Sequence, residues 1–136
     1  MRVKRLLRLD LELSSSYWNR LKMHYLIEPM GKPRMTQRDK WGEREVVQRY
    51  WAFKEECQLK GVQVPEEGAD ITFILPMPKS WTNKKKEQMN GTPHQQKPDI
   101  DNLLKALLDA IYKDDSKVWK ISAKKIWGYA GAINIC

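Results

Sequence analysis

The chain has 136 residues, 41% apolar and 31% charged, which suits one soluble globular domain large enough to bury its own core. Its 25 Lys and Arg outnumber 17 Asp and Glu for a formal +8 at pH 7, a field that attracts polyanions, nucleic acid before anionic membrane. Two cysteines, Cys57 and Cys136, exclude a disulfide framework or a zinc-binding spacing, and no apolar run approaches the ~18 residues of a membrane span. The basic start is interrupted by Asp10 and Glu12, so a signal peptide's apolar region is missing and the expected location is cytoplasmic.

Residues 1–22 read as an N-terminal extension, in part disordered, ahead of a domain at 23–136. Leu7, Leu9, Leu11 and Leu13 alternate with charged residues, which fits a short strand or a short amphipathic helix. Tyr25, Leu26 and Ile27 before Glu28-Pro29 predict a first strand. Residues 29–42 hold Pro29, Gly31, Pro33 and Gly42 among Lys32, Arg34, Arg38 and Lys40, a basic loop that cannot be helical. Residues 43–60 predict a helix with an apolar stripe through Val46, Val47, Tyr50, Trp51, Phe53 and Cys57, ended by Gly61 as C-terminal cap.

Ile71 to Leu75 predict a strand closed by Pro76 and Pro78. Residues 79–97 read as a long polar connection carrying Trp81, Lys84, Lys85, Lys86 and His94, and a connection of that length is usually functional or disordered. Residues 101–112 predict a second helix, capped by Asp101, with Leu104, Leu107, Leu108 and Ile111 on one face. Residues 118–127 and 129–135 predict two strands joined at Gly128 as a hairpin. The fold class is α+β: order β-α-β-α-β-β, a small mixed sheet with two helices packed on it.

The chemistry concentrates in Lys97-Pro98-Asp99-Ile100-Asp101-Asn102-Leu103-Leu104-Lys105. Asp99 and Asp101 sit at a helix mouth, where the helix contributes partial positive charge, and Lys105 follows one turn later. Each piece has a plain structural reading: Asp101 as a cap, Asp101 and Lys105 as an i,i+4 pair, Asp114 and Asp115 as turn residues. Together they suit a hard divalent cation, with Asp99, Asp101 and Asp115 as oxygen ligands if the fold returns Asp115 to the helix mouth. Such an ion offsets the charge of a phosphodiester and activates water, while Lys105 stabilises transition-state charge or positions the water. A calcium loop starting at Asp99 fails, because its sixth and twelfth positions are Leu104 and Ala110 rather than Gly and Glu.

This motif, continued by Asp109 and by Asp114-Asp115-Ser116-Lys117-Val118, resembles the RusA family of Holliday junction resolvases common in phages and prophages. Ile27-Glu28-Pro29-Met30-Gly31-Lys32-Pro33-Arg34 and Ile74-Leu75-Pro76-Met77-Pro78 resemble the family's first strand with its basic loop and its second strand. The resemblance runs from about residue 23 to the C-terminus and implies a homodimeric, Mg²⁺-dependent endodeoxyribonuclease, with Mn²⁺ as a substitute. Its substrate would be four-way junction DNA, nicked symmetrically in two strands during recombination and repair. By position, Asp99, Asp101 and Asp115 are the implied metal-binding carboxylates and Lys105 the catalytic lysine, with Asp114 able to replace Asp115. A dimer also follows from cutting two symmetry-related strands.

Arg34, Arg38 and Lys40 in one basic segment, and Lys84, Lys85 and Lys86 in another, are expected phosphate contacts. Trp81 is expected either to stack on an exposed base or to anchor its loop on the core. Lys124 and Lys125 are consecutive on a strand, so they point to opposite faces. Two other readings remain open: a non-catalytic DNA-binding module, and a nuclease for other branched or flapped DNA.

Overall fold

A computed structural model of the chain describes residues 23–34 and 44–136. The expected extension at 1–22 lies outside them, as do Arg38 and Lys40. The elements are β1 (Met23–Tyr25), α1 (Glu45–Leu59), β2 (Asp70–Pro76), α2 (Asn83–Met89), α3 (Ile100–Ile111), β3 (Ser122–Gly128) and β4 (Ala132–Ile135). The fold is α+β, with three helices and one four-stranded mixed sheet of order β1-β4-β2-β3 among the described residues.

β2 is the hinge of the topology. It pairs antiparallel with β4 and parallel with β3. A parallel pair needs a long crossover, and residues 77–121 supply it, carrying α2 and α3. β1 closes the other side by pairing antiparallel with β4.

The expected hairpin of the last two strands is therefore not formed. β2 lies between β3 and β4, and the short link at 129–131 steps over the end of β2. The step spans two strand spacings, about 10 Å, which four Cα–Cα links of about 3.8 Å each can cover. Both strands looked like hairpin partners because a short Gly-containing link is the usual hairpin signal. β3 begins at Ser122, later than the expected start at 118.

Register assigns the two faces. Ile71, Ala123 and Ile135 share one row, and Phe73, Lys125, Ile133 and Tyr25 share the next. These rows face the helices, and Ile71, Phe73 and Ile133 are each 1% exposed or less. The opposite face carries Thr72, Lys124, Asn134 and His24 on one row and lines an open cleft.

α1 and α3 pack on the sheet and on each other. Tyr50, Phe53 and Cys57 of α1 meet Leu103, Ala106, Leu107 and Ala110 of α3 in the core. The deepest face of α3 thus runs through Leu103 and Ala106, with Leu104, Leu108 and Ile111 only partly buried. Contact with both α1 and the sheet needs a wider apolar arc than a single stripe, and the two alanines allow the close approach.

α1 ends as Gly61 predicts. Gly61 has φ +63°, its N–H donates to the Gln58 carbonyl, and Val62 N–H donates to the Cys57 carbonyl. That pair of bonds is a Schellman ending, and the left-handed φ is why glycine stands there.

α2 corrects the expectation of a long irregular connection. The Thr82 hydroxyl accepts from Lys85 N–H at 3.2 Å and starts a helix of 7 residues with none buried. A capped, lysine-rich turn has good helix formers but no apolar stripe, so periodicity could not reveal it.

Candidate active site

The N-terminal end of α3 gathers the acidic motif. The cap is Asp99, two residues before the expected Asp101: its carbonyl accepts from Asn102 and Leu103 N–H, each at 3.1 Å. Its side chain makes no capping bond, so the carboxylate is left free at the positive end of the helix. Asp101 lies in the first turn and is exposed. Among the described residues the ion pairs are Lys32–Asp109 and Lys60–Glu56, so Asp101 and Lys105 do not pair. Lys105 is exposed one turn beyond Asp101, with its ammonium free to meet a ligand.

The loop at 28–34 is clamped over this end of the helix. Asn102 Nδ2 donates to the Lys32 carbonyl at 3.1 Å. Lys32 Nζ donates to the Asp109 carboxylate at 2.6 Å, two turns further along α3. The clamp encloses a cleft of about 740 Å³ lined by Asp99, Lys97, Asn102, Glu28 and Arg49 among others. Asp99 thus faces a cavity with three basic side chains, Lys32, Arg49 and Lys97, the first of them paired with Asp109.

Lys125 completes the support. From β3 its ammonium donates to the carbonyls of Gln96 and Pro98, at 2.7 and 2.8 Å. It therefore fixes the strand of chain that delivers Asp99. Of the consecutive Lys124 and Lys125, it is Lys125 that shares the helix-bearing side of the sheet. Sequence reasoning saw the alternation but not which lysine faced inward, because only the β2–β3 register decides it. Asn102 and Asp109 were visible in the motif, and their clamp roles emerge only with Lys32 brought beside them.

Asp114 and Asp115 are separated in role. The Asp114 carboxylate accepts from Ser116 N–H at 3.0 Å, and that bond lowers its pKa below the usual carboxylate range. This is an Asx turn, a local task for Asp114. Asp115 keeps its carboxylate free. It lies four residues beyond the C-terminal end of α3, a helix of 12 residues and so about 18 Å long. The segment after α3 is tied elsewhere, by Tyr112 hydroxyl donating to the Val64 carbonyl and Trp119 N–H to the Glu66 carbonyl. Within one chain, no three acidic, His or Cys side chains among the described residues gather as a metal-binding group. Asp99 and Asp101 both lie at the N-terminal end of α3, and no such group joins them with Asp115.

The basic candidates divide likewise. Arg34 is exposed at the edge of the clamp loop, and its carbonyl accepts from Arg44 Nη2 at 2.7 Å. Lys84 and Lys85 are exposed on α2, with Lys86 half-buried. Trp81 is half-buried, its ring centroid 4.8 Å from that of Trp127, and Lys85 Nζ lies 4.4 Å over it. His94 stacks on the other partner of the group, 4.2 Å from Trp127. The Trp81–Trp127–His94 stack anchors α2 to the edge of the sheet, which accounts for Trp81 and steadies the lysines beside it.

The family model described as Endodeoxyribonuclease RusA matches residues 27–136. The chain is also 38% identical over 66 residues to "Uncharacterized protein YqaN" of Bacillus subtilis (strain 168), a stretch covering 43% of this chain and 46% of that protein. The chain thus aligns with less than half the length of that curated relative. No solved structure matches. Among the described residues no helix is long and apolar enough to cross a membrane.

Proposed function

The chain belongs to the RusA endodeoxyribonuclease family, and from that premise we propose that it resolves Holliday junctions by paired symmetric nicks, as a homodimer dependent on Mg²⁺. The observation that carries the reading is the pair Asp99 and Asp101, two free carboxylates at the start of α3 beside the unpaired Lys105.

These residues fit a hard divalent cation. Their donors are carboxylate oxygens, and among the described residues no lysine or arginine forms an ion pair with them. Asp99 and Asp101 would hold Mg²⁺, or Mn²⁺ in its place, with Asp115 as third ligand. When bound, the ion offsets phosphate charge and makes a coordinated water more acidic. Lys105 donates hydrogen bonds to the extra charge that the phosphate develops in the transition state. Arg34, Arg38, Lys40, Lys84, Lys85 and Lys86 hold the DNA backbone through phosphates. Trp81 acts through its support of Lys85.

Asp115 reaches the site from a partner subunit. In its own chain Asp115 follows the C-terminal end of α3 while Asp99 precedes the N-terminal end, and among the described residues no three acidic, His or Cys side chains gather as a metal-binding group. Two-fold symmetry then gives two equivalent sites, as cutting two strands requires.

Synthetic four-way junction, flap and linear duplex, offered together with Mg²⁺ or with EDTA, test the proposal. Paired nicks in the junction, with Mg²⁺ alone, are expected. No divalent-dependent cleavage of any substrate would leave a DNA-binding module, and a preference for flaps would leave a nuclease for other branched DNA.

A further inference from the structure

A second cleft, of about 480 Å³, lies between α1 and the C-terminal half of α3, away from Asp99. Its lining is basic and aromatic. Trp51 is 48% exposed on its wall, and Lys54 Nζ sits 5.1 Å from the Trp51 ring centroid and 5.6 Å from that of Tyr50. Lys113 lines the opposite rim. Asp109, the acidic side chain in the lining, is already taken by Lys32, so Lys54 and Lys113 have no carboxylate partner among the described residues.

The floor carries an independent sign of a ligand. Tyr50 is 1% exposed, and its hydroxyl has no hydrogen-bond partner among the described residues. Burial raises its pKa above the usual phenol value, so the group stays a donor. An unused buried donor in the lining that also carries Lys54 and Lys113 calls for an anion rich in acceptors. A half-exposed indole beside them calls for a flat ring.

We propose that this cleft binds one nucleotide of the DNA substrate, its phosphate held by Lys54 and Lys113 and its base against Trp51. The proposal rests on the nuclease reading and adds a second point of attachment. The cleft stands about 18 Å from Asp99 along α3, equal to about five base steps of 3.4 Å, so the nucleotide is not the one being cut. Base–aromatic stacking is indifferent to sequence, which suits a protein that selects DNA by shape.

The test is fluorescence anisotropy of a dye-labelled four-way junction over a salt series without divalent ions. Lys54→Gln and Lys113→Gln combined should make the slope of log K against log salt shallower by about 0.9, the value for one phosphate, and each alone by part of that. Trp51→Leu should weaken binding about five-fold or more at an unchanged slope, and Trp51→Phe should restore most of it. Unchanged slopes and affinity, with wild type still binding and nicking the junction, would overturn the cleft assignment alone. Failure of the wild type to bind or nick would overturn the nuclease reading beneath it.

Discussion

Lys32 Nζ lies 2.6 Å from the Asp109 carboxylate, joining positions 77 apart in the chain. With the Asn102–Lys32 bond it sets the loop over the α3 mouth. The hydrogen bond to Asp109 raises the Lys32 pKa above its ordinary 10.5, against the opposing effect of burial. A raised folded-state pKa means that the stabilisation is complete below 10.5 and is lost as pH rises through the folded-state value. Both side chains are about a third exposed, so solvent screening limits the pair to about 1 kcal/mol or less. Asp109→Asn and Lys32→Met should each lower the melting temperature by about 3 °C. The double variant should lose little more than either alone. Losses that simply add would show that the two side chains are not coupled.

The adjacent carboxylates of the 114–115 pair should respond differently to the same substitution. Asp114→Asn keeps an acceptor for Ser116 N–H, so the Asx turn and nicking should survive. Asp99→Asn and Asp115→Asn should each reduce junction nicking about a hundredfold or more while a gel shift still shows binding. Loss of nicking in Asp114→Asn, with Asp115→Asn active, would exchange their roles.

Mixing chains tests whether Asp115 acts across the dimer. Asp99→Asn and Asp115→Asn homodimers should both be inactive. After co-refolding, about half of the dimers are mixed, and each mixed dimer has one site with both wild-type residues if Asp115 is supplied by the partner. Single-strand nicks should then reappear. If both residues serve a site within one chain, every mixed dimer carries two damaged sites and no nicking returns.

His94 gives a pH signature unrelated to catalysis. It is 5% exposed, stacked on Trp127, with Nδ1 lacking a partner among the described residues. Burial, and then the nearby Lys125 charge, lower its pKa from the ordinary 6.5. The unfolded chain therefore takes up a proton as pH falls through 6.5 while the folded chain resists it, so stability is lost below that value. The loss is at most about 1.4 kcal/mol per pH unit for one group. Between pH 7.5 and 5.5, His94→Phe should lose clearly less melting temperature than the wild type. Equal losses would mean that the buried imidazole is not the source.

Sequence pattern reached α1 and α3, the α+β class and the acidic motif, because each leaves a local signature. α3 carries apolar residues at helical spacing, and Gly61 marks a helix end in place. It missed the separation of β3 from β4, since nothing local in residues 129–131 distinguishes a hairpin from a step over β2. It missed α2, whose Thr82 cap is its main local cue. The inward role of Lys125 and the clamp from Lys32 depend on register and on contacts across many residues. Asp115 was the member of the expected metal set whose placement needed the fold, and it follows the end of α3 opposite to Asp99.

Gly31 tests the clamp without touching a charged group. A Cβ there would lie 2.7 Å from Asn102 Nδ2 and 3.2 Å from Pro98 Cβ, closer than the packing allows. Gly31→Ala must therefore push Asn102 aside and break its 3.1 Å bond to the Lys32 carbonyl. Overpacking of this kind costs about 1–3 kcal/mol, and a displaced loop should also slow nicking because Asp99 shares the cleft with it. In an Asn102→Ala background the blocking amide is gone, so the same alanine at 31 should cost less stability than in the wild type. If the two substitutions add fully, the alanine meets something other than Asn102, and the close approach of loop to helix does not govern this end of the site.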